Sequence, residues 1–130
     1  MIALADLPGR PCPIAATMKV VGDRWSLLIV RELAFGVTRF NEIAVHTGAP
    51  RDRLAARLRD LTEAGVVERR PYQESPPRVD YHLTESGRGL VPVLESMLAW
   101  GDKWAVDPDD PERRKQRYAP RFVGSAGGAA

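Results

Sequence analysis

Apolar residues recur with a helical period through four successive stretches, alternate through a short fifth, and return to a helical period in the sixth. Ile14, Met18 and Val21 predict a first helix over residues 13–21. Pro13 suits its first position, where a missing N–H would go unpaired in any case, and Gly22 closes it. Trp25, Leu28, Ile29 and Leu33 fall at i, i+3, i+4 and i+8 and predict a second helix over 24–34, with Asp23 as N-cap and Gly36 beyond its end. Phe40, Ile43 and Ala44 give a short third helix over 39–47. After Thr47-Gly48-Ala49-Pro50 breaks the chain, Leu54, Leu58 and Leu61 stripe a fourth helix over 50–64, ended by Gly65. Two short helices joined by a tight, glycine-containing turn form a helix-turn-helix.

The period then changes. Residues 66–72 read as a strand, 73–78 as a polar, double-proline tip, and 79–83 alternate as the return strand. Thr84 is a good N-cap for one long helix over 85–104, whose apolar stripe includes Leu90, Val93, Leu94, Met97, Leu98 and Trp100. That stripe is wide for so small a domain. The expected fold is α+β, mostly α: a winged helix-turn-helix with a three-helix core, a two-stranded β-wing and flanking terminal helices. Residues 1–11 read as an N-terminal arm and 12–104 as the domain. Residues 105–130 form a proline-bearing tail, low in complexity from Gly124 on, for which disorder is the expectation.

Composition changes this picture little. A chain of 130 residues suits one domain. Its net charge is only +2, and residues 11–104 carry thirteen basic against twelve acidic residues, so any case for a polyanionic partner rests on where the arginines stand. The chain shows no basic, apolar leader and no run near the ~20 apolar residues of a membrane span, which points to a soluble, cytoplasmic protein. One cysteine and two histidines, His46 and His82, offer no zinc cluster and no evident catalytic pairing, so neither a metal, a cofactor nor an enzymatic role is expected.

Placing the leucines of the fourth helix inward puts Arg53, Ala56 and Arg59 on or near its outer face, with Arg51 and Arg57 at the flanks. Pro50, Arg51 and Asp52 lie at its start. Small Ala55 and Ala56 let the backbone approach a major groove, where arginine pairs bidentately with guanine. Arg69, Arg70 and Arg78 on the hairpin, and Arg39 at the start of the third helix, are candidates for DNA phosphates. Asp52, Asp60 and Glu63 share the fourth helix, so a protein-interaction module without DNA binding is the alternative.

Several stretches resemble HxlR-type regulators, relatives of the MarR-like winged-helix repressors. They include Cys12-Pro13-Ile14, Gly22-Asp23-Arg24-Trp25-Ser26, Arg31-Glu32-Leu33, Arg39-Phe40-Asn41-Glu42-Ile43, Leu58-Arg59-Asp60-Leu61, Pro77-Arg78-Val79-Asp80-Tyr81 and Leu83-Thr84-Glu85-Ser86-Gly87. The match is collinear over 12–104. It implies a homodimer binding inverted-repeat (palindromic) operator DNA, more often as a repressor. The first and last helices would form the dimer interface, through Ile14, Met18, Leu94, Met97, Leu98, Trp100 and Trp104, with recognition helices ~34 Å apart. It also implies that Cys12, at a helix N-terminus where the dipole favours an anion, is a thiol-switch candidate, the alternative being a small packing residue. An oxidant or a small molecule would be the inducer. Family members often carry Ser or Thr where this chain has Pro50, and a smaller residue where it has Arg53, so the operator does not carry over from relatives.

Overall fold

The computed structural model describes residues 1–115. Helix α1 spans Pro13–Val21, α2 Ser26–Ala34, α3 Phe40–Thr47 and α4 Arg51–Glu63. Strands β1 (Val67–Glu74) and β2 (Pro77–Leu83) pair antiparallel, and α5 (Glu85–Arg88), α6 (Val91–Trp104) and α7 (Pro111–Lys115) follow. This is the winged helix-turn-helix expected from the pattern. Its core gathers one face from each element: Ile29 and Val30 from α2, Ile43 from α3, Leu54, Leu58 and Leu61 from α4, Val67 and Leu83 from the hairpin, and Val91 from α6.

Local chemistry sets the joints. Cys12 caps α1, its Sγ accepting the Ala15 N–H at 3.4 Å. Asp23 accepts the N–H groups of Trp25 and Ser26, both at 2.9 Å, just ahead of α2, which starts two residues later than its apolar pattern suggests. Gly48, at φ 74°, takes the left-handed conformation that ends α3 and turns the chain toward α4. A buried carboxylate ties α2 to α3: Glu32 accepts from Arg31 Nε at 2.7 Å and pairs with His46 Nδ1 at 2.9 Å.

The structure departs from expectation in four further places. The long helix over 85–104 is two helices, because Pro92 lacks an N–H and its ring would meet the carbonyl four residues back in a continuous helix. Thr84 caps the short first piece, accepting the Gly87 N–H at 3.2 Å. The strands run further than 72 and start before 79: Glu74 pairs with Pro77, leaving only Ser75-Pro76, joined by a cis peptide, as the tip. In the arm, Leu4–Asp6 forms a 3-10 turn and Leu7 is buried. In the tail, Asp110 caps α7 through the Glu112 N–H at 2.8 Å, and Arg113 pairs with Asp102 at 3.1 Å. The remainder of the tail, with its low-complexity stretch 124–130, lies outside the described residues. No described helix is long and apolar enough to cross a membrane.

Candidate nucleic-acid interface

Leu54, Leu58 and Leu61 are buried, and that fixes what α4 presents outward. Arg51, Asp52, Arg53, Ala55 and Arg59 are exposed, and Ala56 is half-buried. Pro50 occupies the N-cap and makes no side-chain cap, so the first turn of α4 keeps backbone N–H groups open to an incoming acceptor. Arg57 behaves differently from its neighbours. Its guanidinium turns inward, donating to Ser26 Oγ at 3.0 Å and to the Val20 carbonyl at 3.2 Å, and pairing with Asp23 at 3.2 Å and Asp60 at 3.1 Å. It staples α4 to the α1–α2 joint. Asp23, the hub of that joint, titrates below its ordinary value. Burial is the largest influence and works upward, but the Ser26 hydroxyl, the two backbone N–H groups and the Arg57 charge together outweigh it.

Arg39, Arg51 and Arg78, expected from three separate elements, line one cleft of about 390 Å³ between the start of α3, the start of α4 and the wing. Arg51 lies 4.8 Å over the Phe40 ring and donates to Asn41 Oδ1 at 3.0 Å. Arg39 lies 4.6 Å over the ring of Tyr72. The wing arginines divide. Arg69 is exposed, whereas Arg70 binds Glu68 at 3.0 Å across from the Asp80–His82 pair, at 3.1 Å. The hydrogen bond and charge of Arg70 hold Glu68 below the usual carboxylate range, and Glu68 raises Arg70 in turn.

Sequence reasoning missed Phe40, Asn41 and Tyr72. Tyr72 had a signal: Pro71 cannot donate to a ladder, and the register slips there, leaving Tyr72 unopposed between the Pro71–Val79 and Gln73–Arg78 pairs. It also placed Leu94 at a subunit interface. Leu94 is instead buried in the protomer's own core, because Val91 and Leu94 share the face of α6 turned inward toward α2. Leu98 is half-buried, while Ile14, Met18, Met97, Trp100 and Trp104 are exposed. Cys12 is half-buried, and neither histidine attends it: His46 bonds Glu32 and His82 bonds Asp80. Among the described residues no group of side chains suits a metal ion.

The HxlR-like helix-turn-helix family model matches residues 20–109. An uncharacterized HTH-type transcriptional regulator of Mycobacterium tuberculosis (strain H37Rv) is 43% identical over 112 residues, covering 85% of this chain and 71% of the relative. The crystal structure of PA1607, described as a candidate transcription factor, superposes with a TM-score of 0.72 at 40% identity, covering 85% of this chain and 81% of that one. The reduced form of the transcriptional regulator YodB from B. subtilis does so at 0.61 and 35%, covering 76% and 98%. The chain therefore belongs to the HxlR-like helix-turn-helix family of transcriptional regulators.

Proposed function

We propose that this regulator acts as a homodimer on inverted-repeat operators, working in the cytoplasm beside the chromosome and most often repressing. Each α4 lies in a major groove and each wing follows the flanking backbone. One observation carries the reading: Arg39, Arg51 and Arg78 line one cleft and, among the described residues, none of them has a carboxylate within 4.0 Å. Arg31, Arg57, Arg59, Arg70 and Arg113 each have a carboxylate within 4.0 Å. Among the described residues Arg10, Arg24, Arg39, Arg51, Arg53, Arg69, Arg78 and Arg88 have none, and five of these eight belong to the start of α3, to α4 and to the wing. Unneutralised arginines held near one another suit phosphates and guanine edges. A protein-interaction module would have no need to leave them unpaired. Sequencing the genomic DNA that the protein captures tests the reading: a recurrent inverted repeat is expected, and capture without sequence preference would sink it.

The signal is a second matter. Cys12 caps a helix on the same stretch of chain as exposed Ile14 and Met18, so a dimer built on α1 and α6 would place each Cys12 thiol at or beside the subunit interface, where a disulfide between subunits is one product open to it. YodB is described in both a reduced and a diamide-treated form. Two thiols would join as one disulfide, passing two electrons and two protons to a two-electron oxidant such as diamide. Mixed disulfide with a small thiol, or sulfenic acid, are the other products open to a chain with one cysteine. Diamide is expected to lower operator affinity of the wild type severalfold and to leave Cys12→Ser unchanged, read by anisotropy beside a non-reducing gel. Equal sensitivity of both proteins would remove Cys12 from the switch.

A further inference from the structure

We propose that the cleft between α3, α4 and the wing is a seat for a single backbone phosphate of duplex DNA, and that Tyr72 is the positioning residue that aims Arg39 into it. The proposal rests on the DNA-binding reading above and specifies how wing and helix-turn-helix grip together. Arg39, Arg51 and Arg78 bring three positive charges to the cleft, and Glu42 brings one negative charge. Among the described residues no carboxylate pairs with any of the three arginines. Three positive charges against the one of Glu42 leave the cleft with a net excess that repels itself, and an anion relieves that repulsion.

Ring faces, rather than acids, hold two of these guanidinium groups. Arg39 rests on Tyr72 and Arg51 on Phe40, and Arg51 spends one donor on Asn41. Stacking uses the face of a guanidinium and leaves its N–H edge free. The free edges suit the two non-bridging oxygens of a phosphodiester, which accept several charge-assisted hydrogen bonds at once.

The fold places Tyr72 for this work. It is the residue at which the β1–β2 register slips, and a bulge re-aims the side chain it carries. One residue before Arg39, the Thr38 carbonyl accepts the Tyr81 N–H at 2.8 Å and ties β2 to the start of α3. The wing therefore meets α3 at two points, one through backbone and one through the stacked pair.

The test uses a duplex recovered by the wild-type protein, with affinity measured by anisotropy across a salt series and melting temperature recorded for every variant. Removing Arg39, Arg51 and Arg78 together to alanine is expected to lower the slope of log affinity against log salt by about one, the value for one shared phosphate. A fall near three, meaning three separate phosphates, or no fall, would overturn the seat. Tyr72→Ala is expected to weaken binding roughly threefold to tenfold at unchanged slope, because the charge stays while its support goes. Tyr72→Phe keeps the ring and should bind as wild type. Tyr72→Ala binding like wild type, or Tyr72→Phe failing alongside it, would overturn the role of Tyr72. Should the triple alanine variant melt early, the glutamine versions replace it with the same expectations. Wild-type protein that recovers no duplex would take the DNA-binding reading and the seat down together. Specific binding that is indifferent to these variants would remove the seat alone.

Discussion

Arg57 and Arg53 sit four residues apart on α4, yet the fold uses them for different ends. Arg57 is three-quarters covered, its side chain 23% exposed, and serves acceptors on three elements, whereas Arg53 is exposed and unpaired among the described residues. Arg57→Ala removes the bonds to Ser26, Val20, Asp23 and Asp60 at once, while Asp23 keeps the Ser26 hydroxyl and its two backbone donors, a loss of about 2 kcal/mol in a urea titration. Arg53→Ala should leave the unfolding midpoint within about 0.5 kcal/mol and change only DNA affinity. Asp23 adds a pH dependence to the same joint. Its carboxyl titrates lower in the folded chain than its ordinary 3.8, so folding favours the ionised form. That stabilisation is complete above the unfolded value and is lost as pH falls through the lower folded one. Because the Asp23 side chain is 30% exposed, solvent partly screens it, and its worth is of the order of a helix cap, about 1 kcal/mol. The stability gap between wild type and Asp23→Asn should hold from pH 7 down to about 4 and close below it. A gap that persists unchanged to pH 2 would show that the carboxylate charge is not what stabilises the joint.

At the level of elements, the joint between wing and α5 depends on a glycine. Gly87 is buried against Val66, just ahead of β1, and Leu83 at the end of β2, and a Cβ there would lie 2.2 Å from the Val66 carbonyl oxygen. Backbone cannot yield as a side-chain end can, so Gly87→Ala should cost roughly 1–3 kcal/mol by overpacking, measured by thermal or urea unfolding. The same region shows what periodicity conveys and what it omits. The stripes Leu54-Leu58-Leu61 and Trp25-Leu28-Ile29-Leu33 predict their helices because each records one buried face, and that condition is local. The break in the 85–104 stretch is also written locally, in Pro92, although the apolar stripe runs on through it. Tyr72 and Phe40 differ in kind. An aromatic residue becomes a rest for an arginine only when a bulge and a turn bring two distant segments together, and no spacing along the chain encodes that meeting. The arginines of α4 were legible as a face, but which of them are neutralised was not, since Asp23 and Ser26 reach Arg57 from another element.

Across the whole molecule, the apolar residues the core did not absorb are concentrated on the terminal helices. Ile14 and Met18 on α1, and Met97, Trp100 and Trp104 on α6, are each about half exposed or more, although α1 and α6 each also bury residues in the protomer. Met97, Trp100 and Trp104 recur at i, i+3 and i+7, so they form one stripe along α6, on a different side from buried Val91 and Leu94. Two large indoles standing in water along a single stripe are unusual for a monomer and typical of an interface core. A dimer joined there, as proposed, would leave α4 and the wing of each protomer free, and its symmetry would set the two α4 helices to successive turns of DNA. Replacing Trp100 by Glu puts a charge at the centre of that stripe without touching the protomer's buried core. The variant should melt close to the concentration-independent limit of the protomer, elute at half the wild-type mass by light scattering, and lose operator affinity by at least tenfold while keeping weak, salt-sensitive binding to any duplex. Single half-site affinity should be unchanged, because the seat and α4 lie within one protomer. A Trp100→Glu protein that remains dimeric would place the two-fold axis elsewhere, and one that is monomeric yet binds the full operator as tightly as wild type would separate dimerisation from DNA recognition altogether.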